Sequence, residues 1–90
     1  MKEALKKYLK QKIVVDTRSS WIYIGILEDV LEGAVELSEV DVHENNDTAT
    51  TKEVYVIESK GAGVIPNRSR VFINMEYIVS FSPLSDVKTF

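Results

Sequence analysis

Ten consecutive residues, Trp21-Ile22-Tyr23-Ile24-Gly25-Ile26-Leu27-Glu28-Asp29-Val30, constrain this chain more than any others. A run so rich in Ile and aromatic residues reads as a strand. Its odd positions carry Trp21, Tyr23, Gly25 and Leu27, and its even positions Ile22, Ile24, Ile26 and Val30. Both faces are apolar, so both must be covered by protein. The chain has only 90 residues, enough for one domain. A domain of that size buries only about 60–65% of its extended-chain surface. A strand covered on both faces in so small a chain predicts a closed barrel with a second layer on it. The covers available are an N-terminal helix and a neighbouring subunit. There is no cysteine, so neither a disulfide nor a cysteine metal site adds stability. Self-association is the remaining common way.

The other segments fit that frame. Residues 2–10 read as a short amphipathic helix with Ala4, Leu5, Tyr8 and Leu9 on one stripe and lysines opposite. A helix of about nine residues is unstable alone and must pack on something larger. Ile13-Val14-Val15 is a short strand, and Asp16 to Ser20 is turn chemistry. Gly25, in mid-strand, marks a sharp bend or a close backbone approach. Glu32-Gly33 is a turn into a strand over 34–44, whose period of two slips at Ser38-Glu39, the mark of a bulge. Asn45 to Thr51 is a polar loop, and the alternation from Lys52 to Ser59 predicts a further strand. Segments 70–73 and 77–82 are the last strands, joined tightly at Asn74-Met75-Glu76. Pro83 is expected to end the sheet, and the tail 84–90 to fray. The predicted fold class is mainly β, one domain over 1–90: helix 2–10, a small open barrel of bent antiparallel strands over 12–83, and the tail.

Charge is unevenly spread. The net charge is −3. The first twelve residues hold Lys2, Lys6, Lys7, Lys10 and Lys12 against Glu3, residues 28–58 hold ten acids against Lys52, and Lys60, Arg68 and Arg70 restore positive charge. Any phosphate contact must come from the first or third block, because the middle repels phosphate. No apolar run approaches the roughly 18 residues of a spanning helix. No signal-peptide pattern follows the N-terminal lysines, and a cytoplasmic location is expected.

On the residues just described, the chain resembles the Sm and Sm-like family. Ile24-Gly25-Ile26-Leu27, the loop Asp29 to Gly33, and Val35 to Val42 are similar to the family's first motif; Val71 to Phe81, around Asn74-Met75, is similar to its second motif. The likeness covers roughly residues 2–83, with an enlarged segment, 44–69, between the third and fourth family strands. It implies a strongly bent five-stranded antiparallel sheet behind an N-terminal helix. It also implies a homo-oligomeric ring of roughly five to seven copies, the fourth strand of one joined to the fifth of the next. The interface residues would be Val71, Phe72, Ile73, Ile78, Val79 and Phe81, an apolar set that is an aggregation hazard unless paired. Two departures stand out. The base-binding Asp…Asn pair of the first motif's loop is replaced by Leu31-Glu32-Gly33-Ala34-Val35, and the Arg-Gly pair of the other motif by Asn74-Met75. A guanidinium that stacks and clamps phosphate becomes a neutral amide.

Two functions follow from the resemblance. The first is a non-catalytic ring that binds single-stranded RNA multivalently, with Asn74 on a base edge, Met75 in apolar contact, Arg68 and Arg70 on phosphates, and Lys6, Lys7 and Lys10, with Lys2, as a circle of positive charge. The other is a ring that acts as a protein-interaction scaffold without RNA. A monomeric OB-type barrel is the remaining alternative. Enzymatic chemistry finds no support in the residues. His43 reads as a surface histidine rather than a metal ligand, and no serine has a recognisable base partner or elbow context. Lys60-Gly61-Ala62-Gly63 lacks a phosphate-loop frame. No cofactor and no metal are expected.

Overall fold

The computed structural model describes residues 1–44 and 51–88. Five strands form one antiparallel sheet: β1 (Lys12–Thr17), β2 (Trp21–Val30), β3 (Ala34–Glu44), β4 (Arg68–Asn74) and β5 (Ile78–Pro83). Their order across the sheet is β4-β3-β2-β1-β5. A helix α1 (Lys2–Lys6) precedes them, a helix α2 (Lys52–Ala62) lies between β3 and β4, and single 3-10 turns follow at Met75–Tyr77 and Leu84–Asp86. The polar loop expected at Asn45 to Thr51 falls, except for Thr51, outside the described residues.

The sheet curls because β2 and β3 are bent where the sequence bends them. Pairing runs Ile24 with Asp41 and then Ile26 with Ser38, so the ladder slips opposite Gly25. Glu39 sits in the slip at φ 47. A Cβ on Gly25 would lie 3.0 Å from the Ser38 carbonyl and 3.0 Å from Val40 Cγ2, so only glycine permits so close a crossing. A further slip between Leu27 and Asp29 carries Val30 round to the face of Leu27. Inside the curl lie Ile13, Val15, Leu27, Val30, Val35, Leu37, Val40, Ile73 and Ile78, capped by Leu5 of α1.

Helix α1 is shorter than its stripe predicts. It spans Lys2–Lys6, and residues 7–10 continue as turn. Lys10 takes φ 67, and its N–H donates to the Leu27 carbonyl at 2.7 Å. That bond ties the turn to β2. Only Leu5 is wholly buried; Tyr8 is half-buried against the Phe81 ring at a centroid distance of 5.9 Å, while Ala4 and Leu9 are exposed.

The predicted strand over Lys52 to Ser59 is a helix. The Thr51 hydroxyl accepts from the Val54 N–H at 3.2 Å, an N-cap. Tyr55, Val56 and Ser59 are the buried residues of α2, a helical spacing. Tyr55 and Val56 pack with Val14, Ile22, Ile24 and Leu84 on the outer side of the sheet. So the cover for the outer apolar face of β2 is α2 rather than α1 or another copy. Four residues alternating at 54–57 cannot distinguish strand from helix; the uncovered outer face decides for helix. Pro83 ends β5, paired with Ile13. The tail beyond it differs from the expected fraying: Leu84 is docked at 9% exposure. The Lys60 ammonium donates to the Ser85 carbonyl at 2.8 Å and to that of Val87.

His43 is no simple surface residue. It is half-buried and stacks on Tyr55, centroids 4.0 Å apart and planes within 9°.

Candidate nucleic-acid interface

Two turns that are far apart in sequence meet at one end of the barrel. Between β2 and β3, the Leu31 N–H donates to the Ala34 carbonyl at 2.8 Å. Between β4 and β5, Asn74 caps the 3-10 turn by accepting from the Glu76 N–H at 3.0 Å. Ala34 pairs with Asn74 in the ladder, and the Met75 N–H donates to the Gly33 carbonyl at 3.0 Å. The regions matching the two family motifs thus form one surface, with Asn74 exposed and Met75 half-buried against the core.

The cations around this end are largely engaged. Lys2 bonds Glu32 at 3.0 Å, Lys6 lies 3.9 Å from Glu3, Lys10 bonds Glu28, and Arg70 bonds Glu36. Glu28 also accepts from the Ser38 hydroxyl at 2.5 Å. The hydrogen bond from Lys10, then that from Ser38, holds the Glu28 carboxyl below its ordinary value; the bond from Lys2 does the same for Glu32. Both glutamates are therefore firmly ionised at neutral pH. Among the described residues Lys7 is exposed and enters no ion pair, and the Arg68 guanidinium donates only to the neighbouring Asn67 carbonyl at 3.0 Å. Glu28, Glu32 and Glu36 were folded into a general acidic block in the sequence. Each has its own cation, Lys10, Lys2 and Arg70 respectively, a pairing that only the folded sheet brings about.

The sheet order leaves β4 and β5 as its two outer strands. On β4, Phe72 is 59% exposed, Val71 half-buried and Ile73 buried; on β5, Val79 is 57% exposed, Phe81 half-buried and Ile78 buried. The six apolar residues singled out in the sequence thus divide between two separate, unlike edges. Among the described residues no helix is long and apolar enough to cross a membrane.

No protein-family model matches the chain, and no curated protein matches it significantly. A solved structure does: the Sm protein of Pyrococcus abyssii in complex with a uridine heptamer superposes with a TM-score of 0.62 over 90% of this chain and 93% of that one, at 12% sequence identity. The likeness is one of fold, and the chain has the Sm-like fold, an N-terminal helix followed by a strongly bent five-stranded antiparallel sheet.

Proposed function

We propose that copies of this chain close into a non-catalytic ring through β4 and β5, and that the ring binds single-stranded RNA at the end where the β2–β3 and β4–β5 turns meet. The observation that carries the ring is the pair of unlike, unpaired edges, each with an apolar side chain more than half exposed, Phe72 at 59% and Val79 at 57%. An edge of that kind aggregates unless it is paired. Pairing two different edges head to tail closes when the rotation allows. The RNA reading draws support from the uridine heptamer bound to the Pyrococcus protein of like fold. In this reading Lys6, Lys7 and Lys10 repeat around the ring as a circle of charge, Arg68 and Arg70 approach phosphates, and Asn74 meets a base. Each site is weak, and ring symmetry multiplies it.

A scaffold without RNA is favoured by one observation: Lys2, Lys6, Lys10 and Arg70 already face glutamates. Salt-dependent binding of oligouridine and oligoadenosine decides between the two. The RNA reading expects a steep salt slope that is lost when Lys6, Lys7 and Lys10 are together changed to Glu. No binding at low salt hands the function to the scaffold.

A further inference from the structure

Helix α2 does not cover the outer face of the sheet as far as its β5 edge. A groove of about 340 Å³ remains between them. Val14 of β1 and Ser80 and Ser82 of β5 line it from the sheet, Glu53 and Val56 from α2, and Val87 from the tail. Ser80 pairs with Asp16 and Ser82 with Val14. Val14 belongs to the outer apolar cluster, so both serines stand on the outer face. Lys52, which also borders the groove, is spent inside the chain, on Asp16 at 2.6 Å and on the Thr17 and Ser19 carbonyls. What remains is a slot of valines and short hydroxyls that reaches the edge strand.

The opposite edge carries a side chain of matching chemistry. Ile73 of β4 pairs with Val35, and both belong to the barrel interior. Strand side chains alternate, so Phe72, paired with Glu36, points to the outer face. It is exposed, and it belongs to neither apolar cluster of its own chain among the described residues. Laying β4 of one copy beside β5 of the next makes between copies the pairing that would otherwise close a single barrel on itself. Inside then meets inside, and the two outer faces become one surface. Phe72 of the added copy enters the row of Ser80 and Ser82 at the ordinary strand spacing of about 4.8 Å, within reach of the groove behind them.

We propose that this groove is a socket for Phe72 of the next copy, so that α2 joins neighbouring subunits as well as covering its own β2. The proposal rests on the ring reading and adds to strand pairing a side-chain contact that sets its direction. The socket lies beside β5 and the ring that fills it lies on β4. Pairing two β4 edges or two β5 edges leaves the socket empty, and only the head-to-tail arrangement that closes a ring fills it.

Three measurements on the full-length protein test it, with circular dichroism confirming the fold of each variant. In light scattering across concentration, Phe72→Ala is expected to raise the concentration at which the assembly falls apart about tenfold or more, and Phe72→Leu to raise it less. The chain has no cysteine, so thiols can be placed singly. Phe72→Cys combined with Glu53→Cys, treated with a short bismaleimide, is expected to give a ladder of linked chains on a denaturing gel that neither single variant gives. In the parent, the amides of α2 are expected to exchange faster once dilution has dissociated the ring. A particle of several copies in which Phe72→Ala leaves the dissociation concentration in place, the paired thiols give no ladder and α2 ignores dilution means that strands alone close the ring; the ring reading then stands and the socket falls. Should Phe72→Ala fail to fold, α2 exchange in the parent decides by itself. A parent of single-chain mass at every concentration ends the ring reading and the socket together.

Discussion

The inner and outer faces of β2 are both buried, but by different means. The inner face, through Leu27 and Val30, meets side chains of β1, β3, β4 and β5 and Leu5 of α1. The outer face, through Ile22 and Ile24, meets chiefly one helix, with Val14 and Leu84 beside it. That helix is held by a few polar side chains. Lys52 donates to Asp16 at 2.6 Å and to the Thr17 and Ser19 carbonyls, Tyr55 donates to Asp41 at 2.6 Å, and Lys60 reaches the tail. Asn67 ties the far end, accepting from the Val42 N–H at 3.0 Å and donating to Asp41 at 3.2 Å. The barrel interior is thus a shared hydrophobic core that every strand needs, and the outer layer is a clasp with identifiable fasteners.

If that contrast is right, the two layers break differently. The largest effect is expected inside: Leu27→Ala, at a wholly buried position, should cost about 2–5 kcal/mol. Urea unfolding should show one cooperative transition for the whole molecule, and a transition confined to α2 would contradict the contrast. Tyr55→Phe leaves the Asp41 carboxylate without its hydroxyl donor and should cost roughly 1–3 kcal/mol, seen as faster amide exchange in α2 while strand amides stay protected. The same hydroxyl sets an alkaline limit. Burial first, and the Asp41 carboxylate next, push the Tyr55 phenol above its ordinary 10.0. A raised folded value means the stabilisation is fully present below pH 10 and drains away as the pH rises past the folded value. Helix α2 should loosen in alkali in the parent, and Tyr55→Phe should abolish that dependence. Thr51→Ala removes the N-cap bond and should cost about 1 kcal/mol, read by circular dichroism as a partial loss of helix.

The smallest effect lies at the turn end. Glu28 and Glu32 are held below their ordinary 4.5 by Lys10 and Lys2. Their contribution is fully present above pH 4.5 and is lost as the pH falls through the lowered values. A gentle acid destabilisation that shrinks in Lys2→Gln/Lys10→Gln, with Ser38 still donating to Glu28, is the expected result.

The same contrast explains what was legible in the sequence. The barrel was readable because strand periodicity is local. The glycine at 25 and the slip at Ser38-Glu39 marked the bends, and both are where the ladder shifts. The clasp was not readable. Val54 to Ile57 alternates as a strand would, and what makes it helical is an apolar surface donated by Ile22 and Ile24, far upstream in the chain. The lysines were visible as a block, but their partners were not, because Lys10 finds Glu28 and Arg70 finds Glu36 only after the sheet has curled. His43 looked solvated for the same reason; its cover, Tyr55, lies on the unrecognised helix.

The central claim is that the outer strands β4 and β5 are sealed by further copies of the chain. Light scattering on the purified protein across a wide concentration range tests it most directly. The account predicts a particle of several times 10.2 kDa that collapses when Val79, exposed on β5, is changed to Lys. A stable particle of single-chain mass that unfolds cooperatively with its edges bare would contradict it.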